Sequence, residues 1–141
     1  MELRGEAALS CPEAQARVVL SDVRRLCSLV PEAGGLRPAG PDRMEGELVL
    51  GHPPLARRHA VRLVLERETR ILAVRLEGLG RSAHLRLEAE LELSPLGTGR
   101  TRLVYHMRAE LGTLAQVLAG QGLERHVQDF LSEVQRVCAL P

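Results

Sequence analysis

Aromatic side chains are almost missing from this chain. Tyr105 and Phe130 are the only two in 141 residues, and tryptophan is absent. A stacking platform for single-stranded nucleic acid is therefore excluded, as is an aromatic cage for a quaternary amine. Lysine is absent too. All 19 basic residues are arginine, against 18 acidic ones, which leaves a formal net charge of +1. A chain so close to neutral has no general attraction for nucleic-acid phosphates or for an anionic membrane surface. The three cysteines, Cys11, Cys27 and Cys138, are odd in number, far apart and form no CxxC. They read as reduced thiols of a cytoplasmic protein. No N-terminal stretch has the basic, apolar and small-residue order of a signal peptide. No apolar run approaches the ~20 residues that span a bilayer. With the sequence stopping at Pro141, no membrane anchor is expected.

Apolar residues make up 45% of the chain and charged residues 26%, an ordinary balance for a folded protein. The length suits one domain over residues 1–141, large enough to bury a core.

Period-two alternation dominates. In residues 2–9, Leu3, Ala7 and Leu9 oppose Glu2, Arg4 and Glu6, as in a half-buried strand. Pro12 and Glu13 then suit a helix N-terminus, and a first short helix is expected over 12–20. Ser21 or Asp22 can cap a second carrying Val23, Leu26, Cys27 and Leu29. Pro31, Gly34 and Gly35 end it. Strands are expected over 43–50, 58–68, 71–77, 85–93 and 101–111. The fourth, LRLEAELEL, alternates without interruption. From Thr113 the period becomes 3.6. Leu114, Val117 and Leu118 form one stripe, and Leu123, Val127, Phe130, Leu131, Val134 and Cys138 form another. Gly120 and Gly122 between them mark a kink or register loss.

The expected fold is therefore α+β: a curved antiparallel sheet of about seven strands wrapped around a long C-terminal helix, with two short helices after the first strand. A sheet bent around one helix leaves a concave apolar interior, the kind of place small-molecule sites favour.

Few inward positions are polar. His59 has the parity of Val61, Leu63 and Leu65 and is placed to orient a ligand carbonyl or hydroxyl. The alternative is a hydrogen-bonded or exposed histidine at a strand end. Tyr105 has inward parity beside Leu103 and Met107, so its hydroxyl needs a partner: ligand, backbone or water. Met44 and Met107 line an adaptable pocket or simply fill the core. The expected cavity lining is His59, Tyr105, Met44, Leu48, Leu63, Leu72, Leu87, Met107, Val117 and Phe130. Arg57 and Arg58 are a basic mouth for an acidic head group or a plain surface loop. His84, His106 and the row Glu88, Glu90, Glu92 read as outward. No histidine pair or carboxylate motif has metal-ligand spacing, and no nucleophile motif is present. No metal, cofactor or catalytic residue is expected.

The order of elements resembles the helix-grip arrangement of the START-like (SRPBCC) superfamily. At residue level the chain is similar to the G-subunit family of carbon monoxide dehydrogenase. Met1-Glu2-Leu3-Arg4-Gly5-Glu6 resembles that family's opening strand, and Val30-Pro31 through Gly35 its Ile-Pro-Gly segment. Gly46 and the run 48–51 resemble its third strand, Gly99-Arg100-Thr101-Arg102-Leu103-Val104-Tyr105 its penultimate hairpin, and Leu114-Ala115-Gln116 the start of its last helix. Arg57-Arg58-His59 departs from the usual Phe-x-Gly, the stretch near Gly78 and Gly80 is shorter, and the last helix is shortened near Gly120. The resemblance implies a START-like binding or carrier domain for a hydrophobic small molecule: a lipid, a quinone or a polyketide-like compound. It also implies a molybdenum-containing carbon monoxide dehydrogenase as partner. Two other readings stand beside it: a cyclase- or hydrolase-like enzyme using His59 or Tyr105 as acid or base, which the scarcity of inward titratable groups argues against, and a pocketless interaction or chaperone module.

Overall fold

The computed structural model describes residues 2–30, 33–50, 54, 57–110 and 123–139. Strand β1 (Glu2–Leu9) is followed by helices α1 (Glu13–Leu20) and α2 (Val23–Leu26). Then come β2 (Leu36–Gly40), β3 (Arg43–Leu50), β4 (Arg57–Arg67), β5 (Ile71–Gly78), β6 (Arg86–Pro95), β7 (Thr101–Glu110) and helix α3 (Leu123–Cys138). The strands form one curved antiparallel sheet in the order β1-β7-β6-β5-β4-β3-β2. It is a meander from β2 to β7, with β1 added at the far edge. The expected architecture is the observed one. The strand it adds is β2, whose only buried residue is Leu36.

The alternation in sequence becomes two faces in space. Along β6 the odd positions Leu87, Ala89, Leu91 and Leu93 are buried, while Arg86, Glu88, Glu90 and Glu92 are exposed. Register carries this inner face from strand to strand. One row runs Met44, Leu63, Leu76, Leu87, Ala109; the next runs Leu65, Val74, Ala89, Met107, Leu3. A slip of one residue would turn every one of these side chains to water. The outer face is laced with exposed pairs such as Arg75 with Glu66 and Glu88, at 3.8 and 3.7 Å, each of small energetic value. The β6–β7 turn needs glycine: Gly97 and Gly99 have φ of 71° and 74°, where a Cβ is strained.

The helices close one end of the inner face. Asp42 and Ser21 both hold Arg67. Its Nη1 donates to Asp42 Oδ2 at 2.5 Å and its Nη2 to the Ser21 carbonyl at 2.6 Å. Arg17 donates to the carbonyl of Thr69 at 2.6 Å. The α1–α2 junction is thus tied to the end of β4 and the β4–β5 turn. Helix α3 buries Val127, Phe130, Leu131, Val134 and Cys138, the 3–4 spacing of one helical stripe, and packs on α1, β1 and the turn Cys27–Leu29. Gln135 clamps it to Ser10, accepting from the backbone N–H and donating to Oγ. Residues 111–122, with the expected stripe Leu114, Val117, Leu118 and the glycines at 120 and 122, lie outside the described residues. Among the described residues, no helix is long and apolar enough to cross a membrane.

Candidate functional site

The inner face is nearly all hydrocarbon. Met44, Leu48, Leu63, Leu72, Leu87, Met107 and Phe130 all belong to the buried core; Val117 lies outside the described residues. Among the described residues, the buried polar side chains are His59, Ser82 and Thr101. Thr101 is a structural link, its Oγ1 donating to the Cys11 carbonyl at 2.7 Å. With the Tyr105 hydroxyl, His59 and its Ser82 partner make two polar points on the inner face that a guest molecule would feel.

The first is His59. It is 8% exposed and stands opposite Leu48 on β3. It stands eight positions before the Arg67 anchor on β4, roughly 26 Å along an extended strand. Its Nδ1 lies 2.9 Å from Ser82 Oγ. Ser82 reaches it because the chain doubles back after β5. Gly78 accepts this fold, since a Cβ there would collide with the Ser82 carbonyl. The turn is pinned by Leu79 N–H to the Ala60 carbonyl and by Leu85 N–H to the Ser82 carbonyl, at 2.8 and 2.9 Å. The same turn brings His84 edge-on to His59, with ring centroids 6.1 Å apart. His84 is exposed, as its parity implied, yet it borders the site.

Burial lowers the pKa of His59 below the ordinary imidazole value of 6.5, and repulsion from His84 and Arg57 adds to it. The ring is therefore neutral near pH 7. Neutral imidazole has one donor and one acceptor. Among the described residues Ser82 Oγ has no other acceptor for its proton. The arrangement that leaves fewest groups unpaired has Ser82 Oγ–H donating to Nδ1, which puts the ring proton on Nε2. Among the described residues, that Nε2 is buried and has no hydrogen-bond partner. An unpaired buried donor costs about 1–3 kcal/mol, so this atom calls for an acceptor.

The second point is Tyr105, buried on β7. Its Oη accepts a long bond of 3.4 Å from Gln128 Nε2 on α3. A protein partner thus meets the hydroxyl at least in part, which is the ordinary core alternative for this residue.

Parity located His59 and Tyr105. It could not locate Ser82, which sits in a short turn with no period to read. On the outer face, His106 is half-buried rather than fully solvated, its Nε2 shielded from solvent and 3.8 Å from Glu2. No group of three or more His, Cys, Asp or Glu is placed to hold a metal among the described residues.

The family model of the carbon monoxide dehydrogenase G subunit (CoxG) matches residues 5–138. No curated protein matches the chain. Among solved structures, a conserved protein from Geobacillus kaustophilus superposes with a TM-score of 0.71 at 20% identity, covering 99% of this chain and 95% of that one. A START superfamily protein from Mycobacterium smegmatis gives 0.65 at 16%, covering 96% and 98%. Norcoclaurine synthase from Thalictrum flavum, in complex with dopamine and hydroxybenzaldehyde, gives 0.59 at 13%, covering 100% and 89%. At these identities the likeness concerns the fold.

Proposed function

The chain belongs to the CoxG family, named for the G subunit of carbon monoxide dehydrogenase, and from that premise we propose that it binds and carries a hydrophobic small molecule between the inner face of its sheet and its C-terminal segment. The lining would be His59, Tyr105, Met44, Leu48, Leu63, Leu72, Leu87, Met107, Val117 and Phe130. Candidate guests are a lipid, a quinone or a polyketide-like compound. The observation that carries the reading is the contrast on the inner face: rows of leucine, valine and methionine, then the buried Nε2 of His59, which has no partner among the described residues. A buried polar atom without a partner calls for one, and a guest with an apolar body and one acceptor would supply it.

Burial would drive binding, at roughly 1.5–3 kcal/mol for each ligand fragment the size of a large apolar side chain. The polar contact would set orientation. Norcoclaurine synthase, a relative in fold that is solved in complex with two small organic molecules, supports the reading. The family description also names a partner, a carbon monoxide dehydrogenase. We propose that the guest is exchanged with a molybdenum-containing enzyme of that kind.

Native mass spectrometry of freshly purified protein tests the carrier reading. The expected spectrum holds a second species, heavier by a small molecule that organic solvent extracts. A bare chain alone, unchanged after incubation with lipid and quinone extracts, would contradict it. Co-elution with the purified dehydrogenase tests the partner; separate elution at micromolar concentrations would count against it.

A further inference from the structure

The surroundings of His59 say more about the guest than that it has an acceptor. The ring is flanked from its own strand by Arg57, two residues away and so on the same side of β4, and from the turn after β5 by Ser82 and His84. The facing residue on β3 is Leu48. The two neighbours that act electrostatically on the ring, His84 and Arg57, are both basic residues. Arg57 and Arg81 are exposed and form no ion pair among the described residues. Elsewhere on this sheet arginines commonly have an acid within reach: Arg62 has Glu45, Arg67 Asp42, Arg75 Glu88, Arg102 Glu6 and Arg108 Glu2. Among the described residues, the His59 corner combines an unpaired donor with basic neighbours and lacks a matching anion.

We propose that the missing anion belongs to the guest: the chain binds an amphiphilic monocarboxylate, with its carboxylate accepting from His59 Nε2–H beside Arg57 and its hydrocarbon tail lying along the leucine rows of the inner face. This rests on the carrier reading above and narrows its ligand to one class. Ser82 is the positioning residue, because its hydroxyl fixes the tautomer that aims the proton at the guest. A hydrogen bond to a charged group is stronger than a neutral one, so the head would discriminate acids from alcohols of the same tail length.

Isothermal titration of the intact chain with decanoate, 1-decanol and decyltrimethylammonium tests this. Decanoate is expected to bind at least about 10-fold more tightly than decanol, and the ammonium most weakly. His59→Leu should remove the preference for the acid, so that decanoate binds no more tightly than decanol. Arg57→Gln, at an exposed site that does not endanger folding, should weaken decanoate about 2- to 5-fold and spare decanol. Equal affinity for acid and alcohol, or a preference for the ammonium, would overturn the carboxylate assignment and leave the carrier reading standing. An acid preference untouched by both substitutions would do the same. If none of the three probes binds, both readings fall.

Discussion

The ring of Tyr105 on β7 lies across Gly5 of the neighbouring β1, occupying the space where a side chain at that position would stand. The two residues are directly paired in the ladder, and a Cβ on Gly5 would overlap the Oη, Cζ and Cε1 atoms of the tyrosine. An aromatic laid over a glycine in an adjacent strand shields that backbone and pins the register. It also aims Tyr105 Oη at Gln128 of α3, so the pairing of edge strand and last helix is coupled.

Gly5→Ala should therefore displace the ring and loosen α3. Overpacking of this kind costs typically about 1–3 kcal/mol, a fall in Tm of roughly 3–10 °C for a chain of this size. Tyr105→Leu removes the obstacle. Thermal unfolding of the double variant should show less loss than the two single losses added together. Strict additivity would show that the contact does not couple the two sites.

His59 sets a pH dependence. Its folded pKa lies below 6.5 through burial and the neighbouring His84 and Arg57, so the unfolded chain binds the proton more readily. The stability from keeping this ring neutral is fully present above pH 6.5 and is lost as pH falls through the folded pKa. Urea midpoints measured from pH 7.5 down to pH 5 should decline more steeply in the native chain than in His59→Gln. Parallel curves would contradict the assignment of that slope to His59.

The thiols are protected by the fold. Cys138 is pushed up to about 12 by burial and by its contact with the Cys11 thiol, and burial also raises Cys27. Since the thiolate is the reactive form, titration of the folded chain with a disulfide reagent at pH 8 should proceed slowly. All three cysteines should react promptly in denaturant. Rapid native labelling at Cys138 would show that the α1–α3 junction opens readily.

Arg67 ties three elements at one point, Asp42 after β2 and Ser21 before α2 as well as its own strand. Asp42 has its pKa lowered mainly by this hydrogen bond. Both side chains are partly exposed, so the pair itself is weak; the bond to the Ser21 carbonyl adds a charged-donor contact. Arg67→Ala should cost about 1–2 kcal/mol in urea unfolding. Arg67→Lys, with one point charge in place of a fork, should recover only part. Full stability in Arg67→Ala would show that helix docking does not depend on this residue.

Much of this architecture can be read from the order of residues because its strands are half-buried. Leu87, Ala89, Leu91 and Leu93 announce their face by alternation, and the 3–4 spacing from Val127 to Cys138 announces a helix. Strand β2 stays hidden, since Leu36 is its only buried residue and Pro38 is tolerated there because the strand lies at the sheet's edge. The same parity placed His59 inward but could not pair it with Ser82, 23 residues away in a turn. Contacts of that kind depend on how a chain doubles back over a close-packed glycine, here Gly78, which periodicity does not encode. That Nε2 has no partner among the described residues likewise emerges only from the folded arrangement.

The most direct measurement of the carrier account is a fluorescence titration of the delipidated chain with the apolar probe N-phenyl-1-naphthylamine. The account predicts saturable enhancement with one probe per chain, reversed by competition with an extracted native guest. Signal that rises without saturation, or saturates only when the chain is unfolded, would mean that the leucine rows close upon themselves and leave no room for a guest.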